Sequence, residues 1–142
     1  MNTCKFNYTL LPKEIINMIG GFLPPKMLMW LNKKFYIKFH KNVKSMIDPK
    51  LYDNYIRDVV RLDNSFVFYY ITKENIQRWV LCNKNINYKN AYYPNFVSFI
   101  IDYCIQNNAT KCRNIVNNFL NSSGLGKNQH KKIRYLNIRW RT

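Results

Sequence analysis

Apolar positions return every three or four residues along most of this chain, the period of a helix with one buried face. The first run opens at Leu11-Pro12, where Pro12 suits the first helical position and Glu14 favours the dipole from the first turn. Ile15, Ile16, Ile19 and Leu23 recur on one face until Gly20-Gly21 and Pro24-Pro25 end it. A second helix, from about Pro25, carries Leu28, Leu31 and Phe35 at helical spacing and runs toward Phe39. Asp48-Pro49 marks a turn, and residues 51–62 form a third helix with Tyr55, Ile56, Val59 and Val60 inward. Asp63-Asn64-Ser65 caps a helix through Ile71, and Thr72 caps a further short one carrying Ile76, Trp79 and Val80.

Residues 83–90 read as a polar loop. Pro94 then leads into a helix whose stripe is Phe96, Phe99, Ile100, Tyr103 and Cys104. Asn107-Asn108 interrupts it, and a partner helix follows with Cys112, Ile115, Val116, Phe119 and Leu120, closed by Ser122-Ser123-Gly124. Two amphipathic helices joined by a short polar break pair by burying each other's stripes. No strand-like alternation of consequence precedes residue 125. The expected architecture is all-α, a bundle of about five to seven short helices. It forms a single helical domain over 1–124, opened by a helical hairpin at about 11–40, with a basic tail at 125–142.

Composition adds limits. The chain has 142 residues, of which 47% are hydrophobic and 16% aromatic, enough to bury a core without staples. No apolar run approaches the roughly 20 residues that span a bilayer, and no secretory leader is expected. Cys4, Cys82, Cys104 and Cys112 contain no Cys-x-x-Cys pair and lie far in sequence from His40 and His130, so no zinc site or other metal or cofactor site is expected. Cys104 and Cys112 fall on apolar helix faces and read as buried free thiols, with a disulfide between them the unusual alternative in a reducing compartment. A cytoplasmic or nuclear location follows.

Charge changes the picture more. Twenty-three Lys and Arg against seven Asp and Glu give +16, and after Asp102 no acid appears. The tail alternates Lys127, Lys131, Lys132, Arg134, Arg139 and Arg141 with Ile133, Tyr135, Ile138 and Trp140. Cations for phosphates and aromatics for stacking are what nucleic-acid binders use. The same mixture suits a groove in another protein, or a last strand or helix packed on the chain's own domain. No enzyme is expected. Four glycines build no phosphate-cradling loop, His40 has no acid close in sequence, and the Asp residues at 48, 53, 58 and 63 share no helix face.

The hairpin residues Leu11, Pro12, Glu14, Ile15, Ile16, Ile19, Leu23, Pro24, Leu28, Leu31, Lys33, Lys34 and Phe35 resemble an F-box. That family opens with Leu-Pro-x-Glu and an aliphatic helix, then a Leu-Pro-type break, spaced leucines and a basic pair before an aromatic. The match covers roughly the first third of the chain. It departs from the family pattern in a second helix shorter by nearly one turn and in Phe35 standing where Trp is frequent. With its Asn/Lys/Ile-rich composition, the chain looks like F-box-like proteins of large cytoplasmic DNA viruses. The resemblance implies a protein-interaction role, with Leu11, Pro12, Ile15, Ile19, Leu28, Leu31 and Phe35 docking on the adaptor of a cullin–RING ubiquitin ligase. It places the protein in the cytoplasm or nucleus of an infected host cell, or in the virion. The charge favours two other classes: a virion protein that binds capsid proteins or genome, and a nucleic-acid-binding module that uses the tail.

Overall fold

The structure is a computed structural model that describes residues 11–24, 26–81 and 85–124, with the backbone of 134–135. Helix dominates, as the periodicity predicts. The elements are α1 (Lys13–Phe22), α2 (Lys33–Phe39), α3 (Val43–Met46), α4 (Tyr52–Arg61), α5 (Ser65–Leu81), β1 (Ile86–Tyr88), β2 (Ala91–Tyr93), α6 (Phe96–Gln106), α7 (Thr110–Ser122) and β3 (Arg134–Tyr135), with short 3-10 turns at Leu28–Trp30 and His40–Asn42. The chain clusters into two units, Met1–Tyr52 and Asp53–Thr142, so the division falls at the start of α4.

In the first unit, Pro12 lies just outside α1, its carbonyl accepting from the N–H groups of Ile15 and Ile16, both at 3.1 Å. The second hairpin helix is not continuous. Leu28–Trp30 makes one 3-10 turn, Asn32 is fully extended (φ −160°, ψ 168°), and its side chain accepts from the Phe35 N–H at 2.9 Å to start α2. Asn is a strong N-cap, and that local hydrogen bond stops the helix and starts a new one.

The second unit is built around α6. Every residue from Val97 to Cys104 on it is buried, so it is enclosed on all sides where one apolar stripe was expected. α5 packs on α7 and α6 through Phe68, Ile71, Thr72, Asn75, Ile76 and Trp79, at helical spacing. α7 contributes Cys112, Val116 and Leu120. The predicted break at Thr72 is absent, because α5 runs uninterrupted for 17 residues. Thr72 is wholly buried within it, and its hydroxyl has no hydrogen-bond partner.

The polar loop expected at 83–90 is also corrected. Its second half is a strand, and Ile86, Asn87 and Tyr88 pair antiparallel with Tyr93, Tyr92 and Ala91. The two-residue connection turns at Lys89, whose φ of +51° supplies the left-handed step that Gly usually provides in such loops. Three residues per strand carry too short an alternation to register in the sequence. β3 adds as the third strand, with Tyr135 opposite Ala91 and Arg134 opposite Tyr92, so part of the predicted tail belongs to this sheet. No helix among the described residues is long and apolar enough to cross a membrane.

Candidate docking surface

α1 carries two apolar stripes side by side. Ile16, Gly20 and Leu23 form the first, and it is half-buried. A Cβ at Gly20 would lie 3.6 Å from Leu28 Cδ2 and 3.9 Å from Leu31 Cδ1, ordinary contact distances, so this face of α1 lies against those leucines. Ile15, Met18, Ile19 and Phe22 form the second, at i, i+3, i+4 and i+7. All four are exposed, Met18 by 60% and Phe22 by 84%, and α1 has no buried residue. Met27 and Trp30, on the stretch after α1, are exposed as well.

Of the seven predicted contact residues, Ile15, Ile19 and Pro12 are exposed, and Leu11, Leu28, Leu31 and Phe35 are half-buried. Leu28 and Leu31 face Gly20, so they close the hairpin as well as border its surface. Met18, Phe22 and Trp30 are the additions that the sequence reading missed. The i+3 spacing of Met18 from Ile15 and of Phe22 from Ile19 is the signal that could have found those two, whereas Trp30 lies beyond α1 and has no such signal.

Beside the closed stripe, a groove of about 490 Å³ is lined by Ile16 and Phe35, with Asn17 and Asn32 and three lysines, Lys13, Lys33 and Lys34. No acid lines it. Fully covering a wholly exposed apolar side chain contributes about 1.5–3 kcal/mol, and these four, of which Ile15 and Ile19 are less than half exposed, together supply on the order of 3–7 kcal/mol gross. Association costs roughly 4–15 kcal/mol in lost freedom. The stripe is therefore of the right order to nucleate a complex and too small to hold one tightly without further contacts.

The second unit holds its polar groups inside. Tyr93 Oη donates to Asp102 Oδ2 at 2.5 Å and Gln106 Nε2 donates to the same oxygen at 2.6 Å, tying β2 to α6. Tyr93 and Asp102 are both buried. Asp63 accepts from the N–H groups of Cys112 at 2.9 Å and Lys111 at 3.3 Å, capping α7 from 48 residues away. Burial pushes the Asp63 carboxyl up, but hydrogen bonds from the Cys112 N–H and thiol and from the Lys111 N–H outweigh it, and the net shift is downward. Burial, foremost, pushes the Cys104 thiol up to about 12 and raises Cys112 as well, so both are free, buried and unreactive. Among the described residues no three His, Cys, Asp or Glu side chains gather as a metal site.

Lys127, Lys131, Lys132, Arg139, Trp140 and Arg141 lie outside the described residues, and Arg134 is placed by its backbone in β3. Compared with protein-family models, curated proteins and solved structures, the chain matches none.

Proposed function

We propose that this protein is a non-enzymatic interaction module, F-box-like and of viral type, that docks through α1 and uses its basic C-terminal end as a second contact. The observation that carries this is the exposed stripe Ile15, Met18, Ile19 and Phe22, set next to a stripe the hairpin has already closed. A helix made only to build its own unit has no use for the second stripe, and exposed apolar surface of this kind marks interaction sites. The F-box resemblance names the partner, an adaptor of a cullin–RING ligase. The gross energy of the stripe, comparable to the cost of association, explains why a second contact is needed. The test is co-purification of the full chain with a purified adaptor. Ile19→Asp and Phe22→Asp should each abolish it while far-UV circular dichroism stays unchanged. Absence of wild-type binding, or binding untouched by both substitutions, ends the adaptor reading.

One observation favours a second reading. The net charge of +16 and the acid-free end after Asp102 exceed what an adaptor contact requires, and they suit a virion component that binds capsid proteins or genome. Its absence from purified particles would remove that reading.

A further inference from the structure

Arg57 and Arg61 stand four residues apart on α4 and therefore on one face of it. Beside them β1 ends in Tyr88, followed by Lys89 at the left-handed turn. The Arg57 guanidinium lies 5.2 Å from the Tyr88 ring centroid and the Lys89 ammonium 5.6 Å from it, both within cation–π range. The two charges are then no more than 10.8 Å apart, the two radii laid end to end. Arg61 is held as firmly: its Nε donates to Tyr103 Oη at 2.8 Å and its Nη1 sits 3.2 Å from Asp58. Phe99 and Tyr103 fix Tyr88 edge-on, at 5.1 and 5.9 Å.

Packing alone does not account for this cluster. A structural arginine satisfies its donors, whereas Arg57 leaves Nε buried without a partner and gives Nη2 to the Asn54 side chain. Two cations are ordered on the Tyr88 ring, and a third, Arg61, is held on the same helix face by Tyr103 and Asp58. We propose that Arg57 and Lys89, ordered on Tyr88, and Arg61, held by Tyr103, form a phosphate-backbone site for nucleic acid on the second unit. Each strand of a duplex carries a phosphate about every 3.4 Å of helix axis, a charge density that protein carboxylates rarely reach. The cations are the groups the cluster presents, so contact is with the phosphate backbone and carries no sequence preference. β3 places the backbone of Arg134 and Tyr135 on the same three-stranded sheet.

The test is fluorescence anisotropy of the full chain with a labelled single strand of about 20 nucleotides, titrated over about 50–200 mM salt. Arg57→Gln with Lys89→Gln should lower the slope of log K against log salt by about 1.4, two contacts at about 0.7 each, and weaken binding about tenfold. Lys89→Gly separates binding from folding, since Gly suits the left-handed turn: it should lower the slope by about 0.7 and leave the fold at least as stable. Lys73→Gln, exposed on α5, should change neither. The proposal is overturned if the wild type does not bind or if the slope survives both cluster variants. Equal loss in Lys73→Gln, or equally tight binding of polyglutamate, overturns it too.

Discussion

Asp63 joins the end of α4 to the start of α7, and its removal makes a sharp test of how the second unit is held. Ala109, the residue at the N-cap of α7, offers no side-chain acceptor, so the carboxylate of Asp63 does that work through the N–H groups of Lys111 and Cys112. Loss of a cap costs about 1 kcal/mol and loss of a negative charge at a helix N-terminus about 0.3–1 kcal/mol. Asp63 is also left-handed, with φ +44°, where alanine adds about 1 kcal/mol of strain. Asp63→Ala should therefore cost about 2–3 kcal/mol, Asp63→Gly about 1–2, and Asp63→Asn, which keeps an acceptor and tolerates the backbone, about 0.5–1. Urea unfolding followed by Trp79 fluorescence, with Trp30 and Trp140 replaced by Phe, reads the unit in which Trp79 is buried. The carboxyl is depressed in the folded state, so its contribution is complete above the unfolded value and is lost as pH falls through the folded one. The wild-type advantage over Asp63→Asn should be level from neutral pH down to about pH 5 and shrink below the ordinary carboxylate value of about 3.9. Equal costs for Asn and Ala, or an advantage indifferent to acid, would refute the capping argument.

Thr72→Val should stabilise the protein by about 1 kcal/mol, because it removes a buried hydroxyl without a partner at nearly constant volume; destabilisation in the same urea assay counts against the orphan hydroxyl. Gly20→Ala should raise stability by up to about 1 kcal/mol, since a Cβ there meets Leu28 at ordinary contact distance, whereas Gly20→Leu should open the hairpin. Circular dichroism melts should rank the alanine variant above wild type and the leucine variant below it. At about pH 8 a thiol reagent should leave Cys104 and Cys112 unmodified in the native protein and label both in denaturant, which peptide mass mapping reads.

The fold was legible where periodicity is long. α4, α6 and α7 follow from spacing, because each runs ten residues or more with a hydrophobic face, although spacing gave only one of the faces that α6 buries. Legibility failed where a local hydrogen bond or a short element decides. Asn32 breaks the second hairpin helix by a cap that the leucine spacing cannot reveal. Thr72 resembles a cap, but burial on the α5 face carries the helix through it. Within the expected Asp63-Asn64-Ser65 cap, Asn64 accepts from the Val67 N–H at the start of α5, while Asp63 turns to α7, a contact of long sequence separation that spacing cannot reveal. Of the docking surface, Ile15 and Ile19 were readable from the motif. Met18 and Phe22 were not, because they lie off the stripe that the motif aligns.

The division of cations between the two units follows the same physics and gives a last test. The first unit has nine lysines and no arginine, while all seven arginines lie in the second. Lysine is strongly hydrated and keeps its charge in water, which suits a unit that must stay dissolved with Phe22 and Met18 exposed. Arginine's planar group can be held against an aromatic ring, as Arg57 is at Tyr88 and as a fork bonding Tyr103 and Asp58 is at Arg61. The exchange should therefore be asymmetric. Lys13→Arg on the rim of the groove should leave stability within about 0.5 kcal/mol, as surface substitutions do. Arg57→Lys keeps the charge but loses the flat stacked group, and should cost about 0.5–2 kcal/mol with a weaker hold on Tyr88. Equal, negligible effects of both exchanges would mean that arginine's place in the second unit has nothing to do with that ring.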